Sequence, residues 1–554
     1  MMKSKFILTL LSITMFLGCD KKKTVTESRE VIKAPFVWDS ANLYFLMTDR
    51  FNNGDTSNDI NFNRTKKTAA LRGFEGGDIK GITQKINEGY FTNLGINAIW
   101  LTPIAEQIHG SVDEGTGVSY AYHGYWAKDW TALDPNFGTK EDLKTLVETA
   151  HGKGIRIVLD AVINHTGPVT DMDPVYPEDW VRTDDPCAYK TYESTVNCTL
   201  VKNLPDIRTE SDEPVELPQL LVEKWKSEGR YDQEVVELES FFKRTGYPRA
   251  PRFYIIKWLT DYITEFGIDG YRADTVKHTE DYVWAEFRTE CDYAFSQWKK
   301  NNLDKVLDDN PFYLVGEVYN YTISFGKLFD YGDKQVNFFD NRFHSLINFE
   351  FKSDATKPYE FIFSKYSNLL HNELKGFGTL NYITSHDDGS PFDVKRAKPF
   401  EAITKLLLAP GTSQMYYGDE SARPLIIEGT VGDATLRSFM NWDAINNNQE
   451  TQKLLLHAQK LGQFRANHPA IGAGIHQMIT QNPYVFYRSY SKENFNDLVV
   501  VGLDLPFGVK TLDVSKLYKD GDLLHDAYSN QDVNVIKGKV SLDSQLDIVL
   551  LEKK

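Results

Sequence analysis

What most restricts the fold of this chain is a rhythm of short apolar runs. They recur at residues 42–51, 96–102, 155–160, 267–275, 313–318, 346–349, 380–385 and 414–417, the run at 346–349 being the weakest. The run at 96–102 is apolar throughout most of its length and suits a strand buried on both faces, as in parallel sheets; the others are read as strands beside it. Parallel neighbours need a crossover, usually a helix, and helical patterns follow most of the runs. One is well marked. Thr139 stands as N-cap with Asp142 near the capping-box position. Leu143, Leu146, Val147 and Ala150 then share one face, and Gly152 closes the helix. Eight strands in repeated strand–helix units predict an α/β chain built on a (β/α)8 barrel.

Two segments break the rhythm. Residues 166–210 are irregular, rich in Pro, Asp and Thr, and carry two cysteines; a loop of this length is more often a functional excursion than a linker. Residues 211–250 add a charged, partly helical insertion of no evident purpose. The barrel is therefore expected in two parts, 36–165 and 211–470, with the excursion between them. From 471 to 554 short alternating runs (485–487, 498–503, 533–536, 548–551) are split by polar turns, which predicts an antiparallel β-sandwich domain. With 78 acidic against 62 basic residues the net charge is −16. That balance excludes a nucleic-acid partner, which calls for a basic face. It suits a soluble, self-repelling monomer acting on a neutral polymer, with carboxylates to spare for a hard cation such as calcium.

The N-terminus reads as a targeting segment. Lys3 and Lys5 precede an apolar run at 6–17, too short for a membrane span, that ends in Leu17-Gly18-Cys19. This resembles a bacterial lipoprotein signal: residues 1–18 would be removed, Cys19 would carry lipid and 19–35 would be a tether. Phe16 departs from the aliphatic residue usual there, and a plain secretory signal with a chance cysteine is the alternative. The expected place is outside the cytoplasm, on the membrane through its lipid alone. In an exported chain Cys187 and Cys198, close together in the irregular stretch, are expected to form a disulfide. Cys291, in a helical pattern, is expected to be a buried thiol.

The densest chemistry lies at 266–278, FGIDGYRADTVKH. Alternation puts Arg272 and Asp274 on one face of a strand. A carboxylate beside a guanidinium stays ionised, as a glycosidase nucleophile must; a buried structural ion pair would read the same way. Glu317, between Val315-Gly316 and Val318, has an apolar setting that would keep a proton on it. Asn53, Asp55, Asn58, Asp59 and Gly76-Gly77-Asp78 cluster oxygen ligands suited to calcium, or simply form a hydrophilic turn.

GIDGYRADTVKH resembles the nucleophile strand of the α-amylase family of glycoside hydrolases. Four more stretches are similar to that family, in its order: YHGYW at 122–126, DAVINH at 160–165, VGEV at 315–318 and SHD at 385–387. Together they span most of 36–470. The resemblance implies retaining, endo-acting hydrolysis of α-1,4-glucosidic bonds in starch, glycogen or maltooligosaccharides. It implies Asp274 as nucleophile, Glu317 as acid then base, and Asp387 as the carboxylate that steadies the oxocarbenium-like transition state. His123 and His386 would hydrogen-bond the same sugar, with Tyr122 and Arg272 in its site and Tyr125 stacked beneath. Lys277 and His278 would meet the leaving group. Asp160 would support Arg272. The small domain of the family sits at the 166–210 excursion and often holds a disulfide. One calcium would be held by Asn53, Asp55, Asn58, Asp59, the Gly76 carbonyl and Asp78, and a second by Asn164, Asp206 and the His278 carbonyl. Ser385 stands where the family usually has Asn, which in some members holds chloride with Arg272, so no chloride dependence is expected. Two alternatives share the same residues: a transglycosylase or exo-acting enzyme on this barrel, and a glucan-binding lipoprotein without catalysis.

Overall fold

The computed structural model describes residues 34–554 except 114, 184 and 185. The signal segment, Cys19 and most of the tether lie outside the described residues. Eight parallel strands close a barrel: β1 (Asn42–Leu46), β2 (Ala98–Leu101), β3 (Arg156–Ala161), β4 (Gly270–Ala273), β5 (Tyr313–Gly316), β6 (Ser345–Asn348), β7 (Gly378–Tyr382) and β8 (Thr412–Tyr416). Each pairs with its neighbours in chain order, and β8 returns to β1. All eight strands are fully buried; β2 and the middle of β3 read as apolar runs for that reason, whereas β6, β7 and β8 bury polar residues as well, among them Asn348, Asn381 and Gln414.

Amphipathic helices cover the outside. α1 (Ile79–Asn87) follows β1 and α2 (Lys140–Gly152) precedes β3. In α2 the capping box forms as the sequence predicts, Thr139 and Asp142 each taking the other's backbone N–H. Between β5 and β6 only a 3-10 turn (Ile323–Phe325) and a small hairpin (Phe329–Asp330 with Gln335–Val336) intervene.

Three segments stand off the barrel. Residues 166–210 carry a two-stranded ribbon (Val181–Arg182 with Asp206–Ile207) and the Cys187–Cys198 disulfide. A second excursion follows β2, where Ala105–Gln107 pairs with Ala127–Leu133; the first is too short, and the second too mixed in polarity, to stand out in the sequence. The 211–250 insertion forms α3 (Gln219–Ser227) and α4 (Tyr231–Thr245), ahead of the barrel helix α5 (Pro251–Phe266). These helices brace the second excursion. Asp129, fully buried there, is gripped by Lys224 at 2.7 Å and Arg230 at 2.9 Å, and Trp225 packs edge-on to Trp258 of α5. Two further helices, α6 (Asp281–Asn301) and α7 (Tyr359–His371), cover later strands, and α8 (Pro399–Leu408) and α9 (Gln449–Asn467) complete the outer layer.

The C-terminal domain is antiparallel. It comprises β9 (Ile475–Thr480), β10 (Tyr484–Lys492), β11 (Phe495–Leu503), β12 (Gly508–Asp513), β13 (Leu523–Asp526), β14 (Gln531–Asn534), β15 (Lys539–Ser544) and β16 (Val549–Lys553). Six form one sheet in the order β9-β10-β11-β16-β13-β14, and β12 pairs with β15. Val500, Leu512, Val540, Leu542 and Leu551 share one core between the two sheets.

Candidate active site

The register of the barrel builds the site. Parallel pairing sets Arg272 of β4 opposite Asp160 of β3 and Val315 of β5. One residue past β4 the Asp274 N–H donates to the Ala161 carbonyl; one past β5 the Glu317 N–H donates to the Ala273 carbonyl. Three carboxylates thus converge on one guanidinium at the C-terminal mouth of the barrel. Arg272 is 1% exposed. Its Nη1 lies 2.9 Å from Asp160 Oδ1 and 2.5 Å from Asp274 Oδ1, and its Nη2 lies 2.8 Å from Glu317 Oε2. The sequence reading paired Arg272 with Asp274 and placed Glu317 among apolar neighbours; the structure puts the same arginine on both. Thr275, at φ 48° in the left-handed region, turns the chain there, and its N–H donates to Glu317 Oε2 at 3.0 Å. A non-glycine residue held in that region marks stored strain at a working site.

Burying three acids around one base leaves excess negative charge. Burial pushes the Glu317 carboxyl well above the usual range; Arg272 opposes this and the charges of Asp274 and Asp387 add to it. Burial likewise raises Asp160 to about 7 against the pull of Arg272. Asp160 also accepts from the Tyr125 hydroxyl at 2.8 Å and Trp100 Nε1 at 3.2 Å, so it anchors Arg272 and Tyr125 together. Asp387 sits five residues past β7 with 36% of its side chain exposed. Its recessed position disfavours charge, but His386, the Ser385 hydroxyl (2.8 Å), Arg272 and Arg437 more than offset that and hold it below the usual range. Burial lowers His386 and His278 to about 4 and holds His123 well below the usual imidazole range, so all three are neutral near pH 7.

The match to known families agrees with this geometry. The family model described as alpha amylase, catalytic domain, matches residues 45–460. The chain belongs to the α-amylase family of glycoside hydrolases. It is 35% identical over 521 residues to a periplasmic alpha-amylase of Escherichia coli, covering 83% of this chain and 72% of that protein. It is 26% identical over 488 residues to a cyclomaltodextrin glucanotransferase of Thermoanaerobacterium thermosulfurigenes, 83% of this chain but 59% of the longer relative. Among solved structures, an alpha-amylase from Geobacillus thermoleovorans in complex with acarbose shares the fold, with a TM-score of 0.63, 22% identity, 94% of this chain and all of that one covered.

Within this α-amylase barrel the remaining residues fall unevenly. Tyr125 lines the site, its ring 5.3 Å from His386. His123 Nδ1 accepts from the Tyr125 N–H at 3.1 Å. Tyr122, expected at the sugar, is fully buried beneath the Arg50 guanidinium, 4.0 Å from its ring, and shapes the loop from behind. Lys277 Nζ points between the rings of Tyr319 (5.2 Å) and Tyr189 (5.7 Å), both about half exposed. Arg437, which no motif announces, donates from Nε to the His386 carbonyl at 2.9 Å and pairs with Asp433. Beyond Asp387 a groove continues along Val394, Leu425, Ile426, Thr430 and Asp433.

Among the described residues no group of three or more His, Cys, Asp or Glu side chains converges as a metal site, but side-chain oxygens are left over. Asn164 Oδ1 and Asp206 Oδ2 are buried without a hydrogen bond; Arg182 Nε stands 3.3 Å from the latter. Burial raises Asp206 to about 9, with Arg182 opposing and Glu280 and Glu210 adding. A hard cation there would relieve two orphaned oxygens. In the 53–78 loop Asn53 Oδ1 and Asn58 Oδ1 are orphaned too. Gly76, at φ 87°, lets Asn53 and Asp59 close in; a Cβ there would meet them at 2.4 and 2.6 Å. Two expected ligands are otherwise engaged. The Asp55 carboxylate pairs with Lys80 at 2.6 Å, and Asp78 caps α1 through the N–H groups of Gly54, Asp55 and Gly81.

Proposed function

We propose that the chain is an α-amylase that hydrolyses internal α-1,4-glucosidic bonds of starch, glycogen or maltooligosaccharides with retention of configuration. The carrying observation is the single guanidinium that grips both Asp274 and Glu317. Its two amino nitrogens hold the pair close, in keeping with the roughly 5–5.5 Å spacing of retaining glycosidases. Asp274, locked on Arg272, is the nucleophile. Glu317, whose charge is disfavoured, is the acid. In the first step Glu317 gives its proton to the glycosidic oxygen as that bond breaks, and an Asp274 oxygen bonds to the anomeric carbon. In the second, water loses a proton to Glu317, its oxygen bonds to that carbon, and the Asp274 carboxylate departs. Asp387, held ionised, would steady the positive charge between these states, and neutral His123 and His386 would orient the ring. The groove beyond Asp387 and the aromatics beside Lys277 leave room for chain on both sides, which favours an endo-acting enzyme.

Calcium would be held by Asn164, Asp206 and the His278 carbonyl, tying the 166–210 excursion to the barrel. In the other loop Asn53, Asn58, Asp59 and the Gly76 carbonyl are the better placed donors. The ions would rigidify the site without entering the reaction. The place of action is extracytoplasmic, on the N-terminal sequence and on the relative named periplasmic, with Cys19 as lipid anchor. The test is incubation of residues 20–554 with maltoheptaose, products being followed by NMR. Products first appearing in the α configuration are expected; β products, or no new reducing ends, would refute the assignment. Transglycosylation is the second reading, favoured by the glucanotransferase relative and by the exposed Tyr189 and Tyr319 where an acceptor would lie.

A further inference from the structure

The 187–198 loop lies against His278 and Lys277, the residues that the family resemblance gives to the leaving group. Both sulfurs of the Cys187–Cys198 disulfide approach one atom, the Thr195 carbonyl oxygen, Cys198 Sγ at 3.2 Å and Cys187 Sγ at 3.9 Å. The same carbonyl lies 3.1 Å from His278 Nδ1. A carbonyl oxygen can only accept, so this contact places a proton on Nδ1 and turns Nε2 the other way. Within the loop Tyr189 sets its ring edge-on to His278 at 5.6 Å and stands 53% exposed, 5.7 Å from Lys277 Nζ. Tyr189 holds this place with φ at 54°, in the left-handed region, where a tyrosine stays only if its surroundings insist.

The loop has its own moorings. The Tyr192 hydroxyl bonds to Asp281, the Tyr192 N–H donates to Asp333 Oδ1 at 2.7 Å, and the Tyr331 hydroxyl donates to the Lys277 carbonyl at 3.0 Å. None of these contacts reaches Arg272, Asp274 or Glu317. The disulfide loop therefore approaches the acid cluster through the 276–278 turn, at His278 and Lys277, and not through a contact of its own with the carboxylates given above.

We propose that the Cys187–Cys198 disulfide is a positioning device for the acceptor side alone: by fixing the Thr195 carbonyl and Tyr189 it orients His278 and builds, with Tyr319, an aromatic platform for the glucose units on the leaving-group side. This rests on the glucan-hydrolase reading. The loop thereby governs cleavage of bonds between sugars and transfer to sugar acceptors, and leaves glycosyl transfer onto Asp274 intact when the leaving group is not a sugar.

Two substrates separate these effects. Maltotriosyl fluoride expels fluoride and fills no acceptor position; maltohexaose must place sugars over Tyr189 and His278. Three proteins are compared: the native chain, the Cys187→Ser/Cys198→Ser variant, and native chain reduced by a phosphine. In the last, the disulfide and water give two thiols and the phosphine oxide. Thermal melts check folding, and reoxidation of the reduced protein must restore its starting behaviour. The expected result is a fall of about 10-fold or more in kcat/KM for maltohexaose, carried mostly by KM, with the fluoride rate unchanged. Transfer to added maltose should fall in parallel, and Tyr189→Ala should lower it too. An equal fall for both substrates would make the disulfide a general fold staple and overturn the proposal, as would no change for either. A native chain that cleaves neither substrate would instead refute the glucan-hydrolase reading.

Discussion

The molecule buries arginines at both ends of its barrel and treats them in opposite ways. At the mouth, Arg272 faces three carboxylates. At the base, Arg465 and Arg488 have no carboxylate within 4.0 Å among the described residues. Arg465 donates instead to the carbonyls of Leu407, Ala409 and Gly411 as the chain enters β8, and Arg488 to those of Leu408 and Ile471, over the rings of Phe363 and Phe486. Burial, and for Arg465 the neighbouring Arg488, lowers both to about 9, whereas the carboxylates drive Arg272 the other way. The base uses a guanidinium as a staple, with carbonyls that cannot titrate. The mouth surrounds one with groups that can. A surplus of acid there is costly to hold, and it raises Glu317, which is what the proposed proton donor needs.

The sharpest way to break this contrast is at Asp274. Asp274→Asn keeps the volume and removes the nucleophile, so kcat should fall roughly 10⁴-fold or more with the melting temperature not reduced. Residual activity within tenfold of native would remove Asp274 from the mechanism. Glu317→Gln should cost about 10²–10⁴-fold on glucan and adds a test by pH. A carboxyl raised in the folded state contributes stability in full below its unfolded pKa of about 4.3. That contribution is lost as pH rises through the folded value, about 8. Glutamine cannot ionise, so the melting temperature of the variant relative to native should climb between pH 5 and 9. The native alkaline limb of kcat/KM should fall in that upper range; a flat difference and a limb near pH 5 would show Glu317 to be an ordinary surface-like acid.

The base should respond in the reverse sense. Arg465→Met strips donors from three buried carbonyls and should cost about 2–4 kcal/mol of stability, read by denaturant melts, with kcat on maltoheptaose intact. Loss of activity without loss of stability would dissolve the distinction between the two ends. A smaller effect is expected from metal removal. If calcium fills the orphaned oxygens of Asn164 and Asp206, chelation should lower stability by about 2.7 kcal/mol from a start at 100 times Kd. Asp206→Asn should abolish that shift, whereas Arg465→Met should leave it.

Which parts of this were readable in the sequence follows from what each rests on. Arg272 and Asp274 could be placed together because strand alternation alone does it. Asp160 could be set beside them only through resemblance, since the contact depends on the register of β3 against β4. Arg437 reaches His386 from 51 residues away and sits in no motif, so nothing local betrayed it. Tyr122 misled for the opposite reason: its motif was plain, but its burial under Arg50 depends on a distant loop. The C-terminal strands were legible because one face is wet; β15 alternates exposed and buried residues along its length. The Ala105–Gln107 strand was not, since three residues carry no period.

The least expected effect is that of chloride, and here a single residue decides. The family resemblance implies an asparagine that could share chloride with Arg272, and this chain has Ser385 in its place. Its hydroxyl is spent on Asp387 at 2.8 Å. Arg272 has both amino nitrogens on carboxylates, which leaves Nε as its one unpartnered nitrogen among the described residues. One N–H ringed by three carboxylates is a poor host for an anion. Replacing chloride by gluconate at constant ionic strength should therefore leave kcat/KM and its pH profile unchanged. A chloride-dependent rise in activity would mean that Nε recruits an anion, so that the charge surplus of the mouth is larger than three carboxylates on one guanidinium.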